Sequence, residues 1–423
     1  MINSWHIQGG RVIDPFRGID EIGDLVIRNG ILLEPGASPA DDAQSVDASG
    51  CWVVPGLIDM HVHLREPGEE YKEDVQSGTK AAAAGGFTAV ACMPNTRPVN
   101  DNTAVTALLH ERAASASARV YPVAAISRGL NGERLAEFGE LRRAGVRAVS
   151  DDGHPVVNAQ LMRRALEYAS DFGLTVIAHC EEPALSRGVM NEGAHSTRLG
   201  LQGIPTIAEA VMVYREIALA EFTGKPVHIA HVSTAAALEL IRSAKSRGVQ
   251  VSAETAPHYF TLTDEDVGEY DTLAKVHPPL RGAADRDAVR RALVDGTLDA
   301  IASDHAPHSV LEKEVEFAVA ANGIIGLETS LPLGLALVRD GSLEPLRLME
   351  LLSTAPARIL QVPGGSLSPG LPADVTVIDP EQTFIYSRDQ VVSRSHNSPF
   401  LDWRLTGRAI LTLVEGRATH SLL

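Results

Sequence analysis

Short runs of apolar and β-branched residues alternate with amphipathic stretches through the middle of the chain. The amphipathic stretches, such as residues 158–172 and 234–247, have helical spacing, and a glycine follows each of these two as a helix stop signal. Strands that alternate with helices form parallel sheets. We expect the strands at residues 56–64, 87–93, 119–124, 146–151, 175–180, 227–232, 249–254 and 299–304. Eight such units predict an α/β fold, a (β/α)8 TIM-type barrel over residues 54–364.

The two ends of the chain have a different pattern. Residues 1–53 and 365–423 contain short strand-like runs, glycines and turn signals without long helical periods, as in HIQGGRVIDP and RAILTLVEGRAT. Because both ends have the same character, we predict that they form one small β-sandwich domain. The barrel is then an insertion between the halves of that domain.

The composition excludes several classes of protein. Hydrophobic residues make up 44% of the chain and charged residues 22%, which is the balance of an ordinary globular protein. The net charge of −17 leaves no basic face for nucleic acid. No segment reaches the roughly 20 apolar residues of a membrane span. The N-terminus lacks signal-peptide order, and the three cysteines form no CxxC pair, so we expect a cytoplasmic protein.

Histidines and aspartates lie at the ends of several predicted strands. A single strand-end histidine is usually an ordinary polar residue, but catalytic groups of such barrels also sit at the carboxyl ends of the strands. Neighbours two apart, such as His61 and His63, point to the same side of a strand. Several such ends would meet in one pocket, and imidazole with carboxylate is a donor set that suits zinc. The candidate ligands are His61, His63, Asp151 or Asp152, His179, His231 and Asp304.

Ordered motifs over nearly the whole chain carry a family resemblance. They include PGLIDMHVHLREPG at residues 55–68, MPN at 93–95, SDDG at 150–153, HIAHVS at 228–233, PPLR at 278–281 and SDHAPH at 303–308. HxH alone is weak, but the complete ordered set resembles the dihydroorotases of the amidohydrolase superfamily. Several of these motifs contain the strand-end residues already described.

The resemblance implies two zinc ions and their ligands. His61, His63 and Asp304 are expected to hold the first ion, and His179 and His231 the second. Asp152, favoured over Asp151 by its spacing to His179, is expected to bridge them. Other cyclic amidohydrolases bridge with a carboxylated lysine at the end of strand four, where this chain has AVSDD at residues 148–152.

The same resemblance implies a reaction and its substrate contacts. Dihydroorotase cyclises N-carbamoyl-L-aspartate reversibly to dihydroorotate in pyrimidine biosynthesis, by a zinc-activated hydroxide with Asp304 as the proton shuttle. Arg65 is expected to bind the substrate carboxylate; a surface ion pair with Glu66 or Glu69 is the alternative. Two positions depart from the family pattern, which has asparagine at 277 and phenylalanine at 322. The expected contacts are His63, Arg65, Asn95, His277, His308, Asn322 and Gly323.

Two other functions stay open at this point. A hydantoinase or allantoinase would catalyse related chemistry, although Arg65 and the missing strand-four lysine speak against it. A non-catalytic scaffold for aspartate transcarbamoylase would be expected to lack several ligands, and all six are present here. The expected partners are a small-molecule substrate, with a homodimer and an association with aspartate transcarbamoylase possible for an active enzyme.

Overall fold

A computed structural model describes residues 3–423, and its strands form two large sheets. The N-terminal strands are β1 (Trp5–Asp14), β2 (Ile19–Arg28), β3 (Ile31–Leu32), β4 (Gln44–Asp47) and β5 (Trp52–Pro55). The central strands are β6 (Leu57–Val62), β7 (Phe87–Cys92), β8 (Arg119–Ala124), β9 (Ala148–Ser150), β10 (Thr175–Ala178), β11 (Met190–Asn191), β12 (Gly203–Ile204), β13 (Val227–Ile229), β14 (Val251–Thr255) and β15 (Ala300–Ile301). The C-terminal strands are β16 (Val375–Ile385), β17 (Arg404–Val414) and β18 (Arg417–Ser421).

The central sheet is the predicted barrel. Its order is β15-β14-β13-β10-β9-β8-β7-β6, all neighbours are parallel, and each predicted strand is found. The sheet closes where Val62 pairs with His305 and where the Asp59 carboxylate accepts the N–H of Ser303. Strands such as β6 and β7 are buried along their whole length, as expected for parallel strands covered on both faces. The (β/α)8 prediction is confirmed.

Helices cover the outside of the barrel. The predicted stretches 158–172 and 234–247 form the helices α4 (Ala159–Asp171) and α7 (Ala235–Ser246). Each begins where a side chain, that of Asn158 or Thr234, accepts N–H groups of the first turn. The helices are α1 (Val75–Ala84), α2 (Thr103–Ala113), α3 (Phe138–Arg143), α4 (Ala159–Asp171), α5 (Ala194–Leu199), α6 (Ile207–Thr223), α7 (Ala235–Ser246), α8 (Pro257–Thr261), α9 (Ala283–Asp295), α10 (Val310–Lys313), α11 (Ser330–Arg339), α12 (Pro345–Met349) and α13 (Ala355–Leu360).

The two ends of the chain share the second sheet. Its order is β18-β17-β16-β5-β1-β2-β3, with β4 paired to β1, so strands of the C-terminal segment lie beside strands of the N-terminal segment. One hydrophobic cluster joins both ends of this order, with Ile27 and Leu32 on one side and Leu411 and Leu413 on the other. A terminal β-domain built from both segments is therefore present, while its boundaries at residues 53 and 365 stay a prediction.

Part of the C-terminal segment leaves this sheet and reaches the barrel. Ser393 donates a hydrogen bond to Glu73, and Asn397 donates to the carbonyl of Ala306, just after the eighth barrel strand. Residues from near the end of the chain thus help to form the mouth of the barrel. Across residues 3–423, none of the helices combines the length and the apolar composition needed to cross a bilayer.

Candidate active site

Six polar side chains from five barrel strands or the loops that follow them meet at the carboxyl end of the barrel. His61 Nε2 lies 3.2 Å from Asp152 Oδ1 and 3.6 Å from Asp304 Oδ1. The same Oδ1 atom of Asp152 lies 3.6 Å from His231 Nε2. We call this group the pocket floor: His61, His63, Asp152, His179, His231 and Asp304. These are the six residues that the sequence predicted as metal ligands.

Asp152 occupies the centre of the floor, between its two halves. Its Oδ2 atom lies 3.5 Å from His63 Nε2, and its Oδ1 atom lies 3.7 Å from His179 Nδ1. The preceding residue, Asp151, instead accepts hydrogen bonds from the backbone and hydroxyl of Ser127. Asp152 is therefore the aspartate of this pair whose position suits a bridging carboxylate.

Buried polar neighbours orient two of the histidines. His61 Nδ1 donates to Glu254 Oε1 at 2.8 Å, and the other oxygen of Glu254 lies 3.2 Å from His228 Nε2. His63 Nδ1 lies 2.9 Å from Asn95 Oδ1, which can only accept. Each bond fixes the proton on Nδ1 and leaves the Nε2 lone pair free to face the floor.

The geometry of the floor fits bound metal. In tetrahedral zinc sites with bonds of about 2.0–2.1 Å, neighbouring donor atoms lie about 3.3 Å apart. His63 Nε2 and Asp304 Oδ1 are 3.3 Å apart, close to that spacing. Within residues 3–423, His61 Nε2 is buried without a hydrogen-bond partner. A lone pair that faces two carboxylates favours a positive charge between them. The donor atoms of His61, His63 and Asp304 lie close enough together to hold a metal ion, and so do those of His61, Asp152 and His231.

The carboxylates of the floor are held in their anionic form. Burial alone would raise the pKa of Asp304, but His63 and His61 outweigh burial and lower it below its usual value. Burial also opposes charge on Asp152, yet the interactions with His61, His179 and His231 hold its pKa well below the ordinary range. For Glu254, hydrogen bonds from His228 and His61 overcome burial and lower the pKa to about 2. Metal ligation requires such deprotonated carboxylates.

A cavity of about 220 Å³ lies directly above the floor. Five residues of the floor line it, whereas His61 is fully buried beneath. Every substrate contact expected from the sequence also lines this cavity: His63, Arg65, Asn95, His277, His308, Asn322 and Gly323. The structure thus brings the predicted substrate residues into one space. Asn95 additionally bonds His63, so it also orients a floor residue.

Arg65 is a buried cation beside this cavity. Its Nε donates to the carbonyl of Pro307, and among the described residues no carboxylate lies within 4 Å of its guanidinium. Glu66 pairs with Arg112 and Glu69 pairs with Lys72, so the surface ion pair considered for Arg65 is not formed. The charge of Arg65 is therefore available for an anionic ligand.

The side of the cavity opposite the floor is formed by segments between regular elements. We call it the substrate wall: His277, His308, Asn322 and Gly323. The carbonyl of Asn322 can only accept, so His308 Nε2 carries a proton and donates to it at 2.8 Å. Burial and the charge of Arg65 lower the pKa of His308 to about 3, so its ring is neutral.

His277, which replaces the family's asparagine, contacts a buried carboxylate. Its Nε2 atom pairs with Glu181 Oε2, and its ring stacks on that of His179 with 5.9 Å between centroids. Glu181 Oε2 in turn lies 3.7 Å from His179 Nε2. Glu181 therefore connects a residue of the substrate wall with a residue of the floor.

Three site residues have left-handed backbone conformations. The φ angles are +60° at Arg65, +36° at His231 and +48° at Asp304. Non-glycine residues rarely adopt this region, and such strain concentrates at functional sites. Strand alternation beyond His63 would predict that Arg65 lies on the strand and points to the same side as His63. That prediction is wrong, because β6 ends at Val62 and Arg65 reaches the cavity through this left-handed turn.

Sequence reasoning left several supporting residues without a role. Glu254 lies at the end of the predicted seventh strand, but that position alone does not reveal its bonds to His61 and His228. Glu181 lies two positions after His179, but its other neighbour, His277, belongs to a distant segment of the chain. Asn397 offered no signal at all, although it donates to the carbonyls of Ala306 and Gly323 and accepts the N–H of His308.

Solved structures place this architecture in a known class. L-hydantoinase (dihydropyrimidinase) from Arthrobacter aurescens superposes with a TM-score of 0.88 at 25% identity, covering 100% of this chain and 96% of that one. Dihydropyrimidinase from Brevibacillus agri gives 0.85 at 23% identity, covering 99% and 95%. The fold is that of the amidohydrolase barrels to which these hydantoinase-type enzymes belong.

Sequence relatives narrow the class. The family model described as "Dihydro-orotase-like" matches residues 50–237. A dihydroorotase from Desulfotalea psychrophila is 60% identical over 417 residues, covering 98% of this chain and 99% of the relative. One from Geotalea daltonii is 58% identical over 419 residues, covering 98% of each. The chain belongs to the dihydroorotase family, as the motifs indicated.

Proposed function

We propose that this chain is a dihydroorotase that interconverts N-carbamoyl-L-aspartate and dihydroorotate in pyrimidine biosynthesis. The observation that carries the proposal is the buried, unpaired Arg65 beside the histidine–aspartate floor in one cavity of about 220 Å³. An amide-activating centre next to a guanidinium that has no carboxylate partner suits a cyclic amide that carries a carboxylate. Relatives at 60% and 58% identity bear the name of this activity.

The floor is proposed to hold two zinc ions, with Asp152 between them. His61, His63 and Asp304 would hold one, and His179 and His231 the other. When bound, such ions supply Lewis acidity, which acidifies a water molecule and polarises the amide carbonyl. Glu254 and Asn95 would keep the imidazoles of His61 and His63 in the tautomer that ligation needs.

Asp304 is proposed to move the proton. It lies at the edge of the floor, lines the cavity and is held anionic by its histidine neighbours. In hydrolysis it accepts a proton from the attacking water and delivers that proton to the ring nitrogen as the carbon–nitrogen bond breaks. In cyclisation the same transfers run in reverse. Arg65 orients the ring by pairing with the substrate carboxylate, and bidentate pairing of this kind fixes direction as well as position.

The alternative functions find less support. Hydantoinases are structural neighbours at 23–25% identity, a likeness in fold. β9 ends at Ser150 and is followed by Asp151 and Asp152, with no lysine. A substrate with an uncharged ring would also leave Arg65 without an anionic partner. A scaffold without catalysis would have no reason to keep six converging donors buried.

Metal analysis combined with an activity measurement tests the proposal. The purified protein should contain about two zinc ions per chain and open dihydroorotate, and complete chelation should abolish turnover while the fold persists. Restored activity after zinc is added back controls for irreversible unfolding. A metal-free preparation that opens dihydroorotate at full rate would refute the proposed role of the floor.

We also propose a cytoplasmic location, a homodimer and a possible association with aspartate transcarbamoylase, all from the sequence. Sedimentation of the protein alone and mixed with aspartate transcarbamoylase tests the two assembly proposals. A monomer that sediments unchanged in the mixture would contradict both.

A further inference from the structure

Two lysines are buried next to the substrate wall without a carboxylate partner. Lys275 is 4% exposed and Lys313 is 2% exposed. Across residues 3–423, neither ammonium group lies within 4 Å of a carboxylate, and buried cations without such partners are rare. Burial lowers the pKa of Lys313 to about 7. A buried charge of this kind needs a structural or functional reason.

The ammonium group of Lys313 is satisfied by backbone carbonyls. Its Nζ donates to the carbonyls of Ala321 at 2.8 Å, Gly323 at 3.1 Å and Lys275 at 3.2 Å. An ammonium group has three N–H donors, so each finds one acceptor. Two of these carbonyls flank Asn322, which belongs to the substrate wall.

Lys275 binds the preceding part of the same loop in the same way. Its Nζ donates to the carbonyls of Phe317 at 2.7 Å, Ala318 at 3.1 Å and Ala320 at 2.7 Å. Residues 314–323 form turns without helix or strand, so their carbonyls lack the partners that regular structure provides. The two lysines supply those partners from inside the loop.

The same lysines connect both sides of the wall. Gly323 donates its N–H to the carbonyl of Lys275 at 2.9 Å, and His277 follows Lys275 by two positions. The loop is tightly packed at Gly323, because a Cβ atom added to this glycine would lie 2.7 Å from the Cβ atom of Ala306. The backbone of the wall is therefore tightly packed where Lys275 and Lys313 bind it.

We propose that Lys275 and Lys313 are positioning residues that hold the substrate wall, each ammonium group organising carbonyls as a structural cation would in a loop. The inference rests on the proposed substrate pocket and adds two residues that do not touch substrate. The inference predicts that loss of either lysine weakens substrate binding without changing metal binding at the floor.

Lys313→Met removes the charge and retains most of the side-chain volume. The variant should raise KM for dihydroorotate about tenfold, with a much smaller change in kcat, as expected for loss of a positioned contact. Zinc content should stay unchanged, and amide hydrogen exchange should accelerate in residues 314–323. Lys275→Met should do the same. The control is Lys245→Met, because Lys245 also donates to a carbonyl, that of Gly296, but it pairs with Asp299 and lies outside the cavity. This variant should alter stability without changing KM.

The outcomes separate this inference from the proposed function. Arg65→Met, measured in parallel, reports on the pocket itself. If Arg65→Met raises KM while folded Lys313→Met and Lys275→Met leave KM and loop exchange unchanged, the lysine inference is wrong and the pocket stands. If Arg65→Met also leaves KM unchanged, the pocket is misplaced and both fail. If neither methionine variant folds, wild-type exchange decides: slow exchange of the Gly323 amide without ligand supports the inference, and fast exchange overturns it.

Discussion

The pocket floor and the substrate wall face the same cavity but are built in different ways. Residues of the floor lie at strand ends, where the barrel ladder sets the backbone and buried partners such as Glu254 set the rings. Residues of the wall lie in irregular segments, where side chains such as Lys313 and Asn397 bond the backbone from other parts of the chain. The floor is thus fixed by the fold, and the wall by a few specific side chains.

This difference indicates a division of labour. In the proposed mechanism, the floor carries the groups that act on any cyclic amide, whereas the wall and Arg65 would contact the parts of the ring that distinguish one substrate from another. Both departures from the family pattern, His277 and Asn322, lie in the wall. We therefore expect changes in the floor to reduce kcat or metal affinity and changes in the wall to alter KM.

The largest effect should come from the floor. Asp304→Asn removes the proposed proton shuttle and a metal ligand, so kcat should fall by at least about 10²–10⁴ in both directions while the fold survives. Steady-state rates with dihydroorotate and with N-carbamoyl-L-aspartate measure this. The matched control is Asp299→Asn, at the amino end of β15 and away from the floor, and this variant should keep its activity. Retention of more than a tenth of the wild-type rate in Asp304→Asn would assign the shuttle to another group.

The second test weakens the floor through a residue that does not line the cavity. Glu254→Gln keeps the size of the side chain but loses the charge that holds His61 Nδ1, so zinc affinity should fall about 10- to 100-fold. Competition with a chelator of known affinity measures the change. Unaltered zinc affinity would mean that the barrel strand alone orients His61, and the floor would need no supporting carboxylate.

The third test examines the anionic contact. Arg65→Met should raise KM for dihydroorotate about 10- to 100-fold, because hydrogen bonds to charged groups contribute about 1.5–3 kcal/mol. Turnover of dihydrouracil, which has no carboxylate, should change little. Equal losses with both compounds would make Arg65 a structural residue and would leave the substrate carboxylate without a partner.

The smallest effect should come from the wall. His277→Asn restores the residue typical of the family and should change KM by only about two- to tenfold, the range of a single neutral hydrogen bond. Because Glu181 loses its pairing with His277, zinc content should be measured alongside the kinetics. A loss in kcat of more than about 100-fold would show that His277 acts with the floor, and the division between the two regions would not hold.

Local patterns were sufficient to predict much of the fold and of the floor. Apolar periodicity reports whether a segment is strand or helix, so the eight barrel strands could be located. Parallel strands bring their carboxyl ends to one edge, so polar residues at those ends were expected to converge. The family motifs then separated Asp152 from Asp151, and the structure places Asp152 in the floor.

The tertiary structure alone decided how the wall is held and how some floor residues are aimed. Asn397 bonds the carbonyl of Ala306 across 91 positions of sequence, and Lys313 bonds the carbonyl of Lys275 across 38. The left-handed turn at Asp304 likewise has no signature in residue type. Periodicity records local backbone geometry, whereas bonds from side chains to distant carbonyls depend on the path of irregular segments through space. That path exists only once the barrel has closed and the C-terminal segment has packed across its mouth.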